Sequence, residues 1–277
     1  ALLGALPESH SSLWILLAAL AFLLVYSAAS HGLVRRGWWV PGGLAAALAV
    51  AMVPAVVVGF LRRIDVWPND VPITDFNGGA LAAAIVTAVA GLIAFWLTRF
   101  SFLYFTVVTA ILVAAQFLAV AGSSPSDDDR ATAAVVAGVL VVTAGVFMDA
   151  FGRRRDAFWF HALGWFSVAA GLVFFTVEHS SRWWIPLLIV GTLMVIASGP
   201  IRRATWAVYG VLGYYAALLH YIVTGLNQDR WTFAVALLAV GLSIFVFGML
   251  IHRFGGTWSQ RFVRRPPPDA GYSSSSL

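Results

Sequence analysis

The chain has no cysteine and no lysine; all 17 of its basic residues are arginine. The first absence excludes structural disulfides, thiolate metal sites and cysteine nucleophiles. The second removes every mechanism that needs a primary amine on a side chain, among them retinal and pyridoxal Schiff bases and the phosphate-loop lysine. Charge is scarce as well, at 10% of residues, where a soluble domain carries about a quarter. No Asp, Glu or Arg falls near the centre of any long apolar run, which argues against a carboxylate-relay proton pump and a voltage sensor. Dinucleotide fingerprints, phosphate loops, zinc-protease helices and nucleophile elbows are missing too. Glu178, His179 and Ser180 are consecutive, and consecutive side chains diverge instead of forming a relay.

What fills the chain is apolar: 61% of its 277 residues are hydrophobic and the mean hydropathy is +0.88. Polar punctuation marks nine runs, at residues 13–34, 39–61, 76–98, 101–122, 131–150, 157–177, 183–198, 204–224 and 231–251. Each is close to the roughly 20 residues that cross about 30 Å of hydrocarbon, and each is apolar on every face, unlike a surface helix. The expected fold is therefore an all-α polytopic transmembrane bundle over residues 1–254. Residues 255–277, with three consecutive prolines and four serines, read as a disordered cytoplasmic tail. Pro200 is expected to close the seventh run, and Pro54 to kink the second. No charged segment with a cleavage motif precedes the first run, so no signal peptide is expected.

Orientation follows from the arginines. With the N-terminus outside, the inner turns hold Arg35, Arg36, Arg99, Arg153 to Arg155, Arg202, Arg203, Arg253, Arg261, Arg264 and Arg265; the outer ones hold Arg62, Arg63, Arg130, Arg182 and Arg230. This is the positive-inside pattern. It also accounts for the net charge of +5 without nucleic acid. Most tryptophans, such as Trp38, Trp39, Trp96, Trp183 and Trp184, fall near predicted span ends, where an amphipathic ring prefers the headgroup layer.

A stripe of Gly79, Ala83, Thr87 and Gly91 in the third run invites close helix packing. Internal contact is the plain reading and a homo-oligomer interface the sharper one. The eighth run is rich in polar aromatics; Tyr209, Tyr214, Tyr215 and His220, with Gln116 of the fourth run, are the candidate ligand-binding residues, because hydroxyls and amides in hydrocarbon need partners. His161 and His220 lie near opposite surfaces and cannot share a haem; a hydrogen-bonded interfacial histidine is the plain reading of each, and a single-ligand haem or chlorin at either the sharper one. Asp149 is read as an interfacial ion pair with Arg153 close by. The acids of the 65–75 loop and the Asp127 to Asp129 run lack calcium-loop spacing and read as solvated turns. No catalytic, metal or cofactor site is assigned.

From Arg202 to Phe254, RRATWAVYGVLGYYAALLHYI followed by WTFAVALLAVGLSIFVFGMLIHRF resembles the last two spans of a group of uncharacterised bacterial multi-span proteins, a domain of unknown function. TRFSFLYFTVV at Thr98 is similar to a turn in that group, with Ser101 where proline is expected. The resemblance implies a bacterial inner-membrane location and no site residue. Lipids are the expected surroundings, with a membrane-protein partner or a second copy of the chain as further partners. The leading expectation is a non-enzymatic scaffold or subunit of a membrane complex. A carrier or channel for a neutral or lipid-like solute is the alternative, and an intramembrane enzyme the third.

Overall fold

Hydrocarbon offers backbone groups no water, so a chain this apolar must satisfy every N–H and C=O within its own segments, and helices do so. The computed structural model describes residues 8–64, 66, 77–121, 126–178, 184–201 and 203–225, with a few single positions between 234 and 249. These form eight α-helices: α1 (Glu8–Arg35), α2 (Trp39–Arg63), α3 (Gly78–Thr98), α4 (Leu103–Ala119), α5 (Asp127–Ala150), α6 (Arg154–Glu178), α7 (Trp184–Ile201) and α8 (Ala204–Gly225). No strand occurs among the described residues. The ninth run and the 255–277 tail lie outside them, the run but for a few positions.

Five helices, Leu13–Arg35, Trp39–Arg63, Gly78–Thr98, Asp127–Ala150 and Arg154–Thr176, are long and apolar enough to cross a membrane. Their outward surfaces are oily: Leu24, Trp96, Leu97, Leu140 and Phe147 are each at least 60% exposed. Burying a large apolar side chain gains about 1.5–3 kcal/mol, so water could not hold this surface open, whereas lipid accepts it. The protein is a multi-pass membrane helical bundle.

Several boundaries differ from the sequence reading. The Asp127 to Asp129 run is the first turn of α5, not a solvated turn: Ser126 caps the helix in a capping box with Asp129, and carboxylates suit the positive end of the helix dipole. Arg154 and Arg155 belong to α6. Pro200 does not close α7, which continues to Ile201; its φ is itself helical, and a last turn already has carbonyls without intrahelical partners. Pro54 lies inside α2, as the second run leads one to expect.

Contacts divide the chain into two units, Ala1–Pro186 and Leu187–Leu277. In the first, the hairpins α1–α2, α3–α4 and α5–α6 pack in sequence, with α2 against α3 and α4 against both α5 and α6. The N-terminal end of α4 is the core: Leu103, Val107 and Val108 are at most 1% exposed, and Ala46, Ala47, Val50, Phe95 and Tyr104 close around the first two. Glycines bring α5 and α6 together backbone to backbone. A Cβ on Gly138 would stand 2.7 Å from Gly164 O, and one on Gly171 2.6 Å from Ala131 O. In the second unit, a Cβ on Gly191 would stand 2.6 Å from Tyr214 N of α8.

Candidate functional site

Short turns join α1 to α2, α3 to α4 and α5 to α6 at one end of the first unit, and this end gathers Arg35, Arg36, Arg99 and Arg153 to Arg155. The acids here are engaged. Asp156 accepts from Ser101 Oγ at 2.6 Å, tying the start of α6 to the α3–α4 turn. Its other oxygen is 3.2 Å from Arg153 Nε, and the Arg153 guanidinium lies 5.6 Å from the centre of the Phe95 ring. Deeper in, His161 is fully buried and its Nε2 meets Asp149 Oδ2 at 2.9 Å. An ionised Asp149 carboxylate accepts here and Nε2 donates, whereas a protonated carboxyl reverses the roles. Sequence reading joined Asp149 to Arg153; the structure brings it to the imidazole, because a turn of α5 and a turn of α6 face each other there. Gly145 makes the room: a Cβ in its place would stand 3.2 Å from His161 Cε1.

Among the described residues, three grooves stand out on the first unit. The first, about 560 Å³, has α2 as its floor (Ala46, Ala49, Val50, Val53) and α1 and α3 as its walls. Small floor side chains keep it open. It is apolar except at the arginine-rich end, where Ser27, Ser30, His31, Arg35 and Thr98 line it. The second, about 580 Å³, lies among α4, α5 and α6 towards the opposite end, with Gln116, Asp127, Arg130 and Ser167 among its lining residues. The third, about 350 Å³, lies among α2, α3 and α4 and includes Pro54, Ala83 and Thr87. Neither Asp149 nor His161 lines any of the three.

The residues singled out from sequence fall in different places. Gln116 lines the second groove, and its amide, oriented with nitrogen towards the carbonyl, donates to Arg130 O at 3.2 Å and accepts from Ala134 N–H at 3.3 Å. Ser167 Oγ donates to Ala134 O at 2.7 Å from the other side, so both side chains are spent on the α5 backbone. Tyr209, Tyr214, Tyr215 and His220 lie half-buried on α8, in the second unit; the rings of Tyr214 and Tyr215 meet edge to face at 5.2 Å. On α3, Ala83 and Thr87 are buried, Gly79 is half-buried, Thr87 Oγ1 donates to Ala83 O at 2.7 Å, and Gly91 faces Val107 of α4. Among the described residues no three His, Asp or Glu side chains stand close enough to hold a metal ion.

Sequence reasoning missed the Asp149–His161 pair, although the spacing of 12 residues across a short turn was a usable signal. It also missed the glycines of α5 and α6. Gly138 and Gly145, then Gly164 and Gly171, each repeat at seven, the period of a left-handed helix seam.

Fold and groove together define a class: a polytopic α-helical membrane protein with side grooves of lipid-like polarity. No family model matches the chain, and no solved structure does. A phosphatidylcholine synthase of Rhizobium meliloti (strain 1021) is 26% identical over 250 residues, covering 85% of this chain and 86% of that protein. With the membrane-spanning helices, that likeness marks this as a multi-pass protein of a bacterial cell membrane.

Proposed function

We propose that this protein binds a membrane lipid in the α1–α2–α3 groove, as a carrier or lipid-dependent bundle, in preference to a scaffold that only holds other subunits. One observation carries the reading: apolar side chains of α2 and α3 line most of the groove, while its polar groups run along α1 from Ser27 to Arg35 towards the arginine-rich end, the polarity profile of an amphiphile lying along the membrane normal. α1 forms one wall and only 11% of its apolar window is buried, against 39% for α2, so the groove lies at the edge of the bundle, where an acyl chain can enter from the side.

The test is native mass spectrometry of the full chain purified from its membranes, with and without Ser27→Leu and Ala90→Leu, which fill the groove from opposite walls. A lipid held at fixed stoichiometry by the natural chain and lost from both variants is the expected result. A lipid-free protein that copurifies with a partner at fixed stoichiometry overturns it in favour of the scaffold.

A second reading, a lipid-synthesising enzyme, draws on the likeness to phosphatidylcholine synthase. Under this reading, membranes enriched in the chain form new phosphatidylcholine; an unchanged lipid extract removes it. The sealed position of His161 weighs against the Asp149–His161 pair as its chemistry, since a general base must reach the proton it takes.

A further inference from the structure

We infer that the α1–α2–α3 groove selects an anionic glycerophospholipid over a zwitterionic one, an inference that rests on the lipid-binding reading above. Ser27, His31 and Arg35 are spaced by four on α1 and all line the groove, so they form one polar stripe on a helix that elsewhere shows large apolar side chains. Four residues make about one turn, and the stripe rises about 12 Å at 1.5 Å per residue. Along it the chemistry is graded: a guanidinium at the membrane surface, an imidazole one turn deeper, and hydroxyls at Ser27 and Ser30 below. A phosphodiester meets the first two while glycerol ester oxygens accept from the hydroxyls.

Charge decides the headgroup. Among the described residues no carboxylate lines this groove. The described acids at the same end are engaged, Asp149 with His161 and Asp156 with Ser101 and Arg153. Arg36 and Arg99 directly follow the lining residues Arg35 and Thr98 in the chain. A headgroup that carries its own ammonium therefore finds cations and no counter-charge, whereas a headgroup with net negative charge is attracted throughout. The second groove differs on this point, since Asp127 and Arg130 together line it and offer both signs.

The experiment titrates the full chain in detergent with phosphatidylglycerol and with phosphatidylcholine and reads bound lipid by native mass spectrometry. The natural chain should hold phosphatidylglycerol several-fold more tightly. Arg35→Gln should weaken that lipid about fivefold, the worth of one arginine beside an anionic headgroup, and phosphatidylcholine less, so that the preference narrows, with an unchanged far-ultraviolet circular dichroism spectrum reporting an intact fold. Arg35→Lys should restore most of the difference, and Ser27→Leu should abolish both. Equal affinities, or phosphatidylglycerol binding indifferent to Arg35→Gln, overturn the headgroup assignment and leave lipid binding standing. A natural chain that holds neither lipid, one that forms a lipid-independent dimer, or undiminished binding in Ser27→Leu overturns both.

Discussion

Replacing Gly138 by alanine adds one methyl group where the structure has no space for it. The new Cβ would stand 2.7 Å from Gly164 O, 2.8 Å from Val168 Cγ2 and 2.9 Å from Val168 N. Two of those atoms are backbone of α6, so no rotamer change relieves the clash and the helices must part by about half an ångström. An interface of on the order of 40 heavy-atom pairs at 0.1–0.2 kcal/mol each forfeits a quarter or more of its dispersion energy when a gap of that size opens. The loss is about 1.5–3 kcal/mol. Alanine returns about 0.5–1 kcal/mol over glycine inside a helix, leaving a net destabilisation of about 1–2 kcal/mol. Gly213 is the internal control, because its added Cβ would meet nothing nearer than Leu187 Cδ1 at 3.5 Å, an ordinary contact. Gly213→Ala should therefore be neutral or slightly stabilising. Equilibrium unfolding in mixed micelles, followed by far-ultraviolet circular dichroism, gives both values. Should the two variants prove equally stable, close glycine packing is not what holds α5 to α6.

His161→Ala removes the imidazole that faces Asp149 and leaves a void in a fully buried position; the same unfolding assay should show a loss of about 3 kcal/mol, and Asp149→Asn, which keeps the shape and an acceptor, about 1 kcal/mol. Ser101→Ala deletes the hydroxyl that donates to Asp156 and should cost about 1 kcal/mol, seen as a lowered unfolding midpoint. Arg99 holds a left-handed φ of 54° at the end of α3, a conformation that costs an L-residue about 1–2 kcal/mol; Arg99→Gly should raise stability by about 1 kcal/mol in thermal melts.

The lipid reading and the likeness to phosphatidylcholine synthase meet at one point: both concern a phospholipid. They differ in what happens to it. A binder needs a groove of the right polarity, which α1, α2 and α3 supply. A catalyst needs reactive groups that reach substrate, and the buried pair of Asp149 and His161 stands away from all three grooves, locking α5 to α6.

Composition alone determined the membrane bundle, because apolar runs of some 20 residues have one stable solvent, and the arginine turns marked where helices end. Helix starts were harder to read. Ser126 and its three aspartates look like a loop until the free N–H groups of α5 are there to receive them. Local sequence also concealed which polar groups would be partners, since His161 meets Asp149 only when Gly138, Gly145 and Gly164 let two backbones touch. The grooves are tertiary products in the strict sense. A helix can be inferred from its own residues, because its hydrogen bonds are local; a cavity is the space left where α1 and α3 diverge over the small side chains of α2, and its polarity depends on which face each helix turns inward. That rotation is fixed by packing between helices distant in the chain, and no single run encodes it.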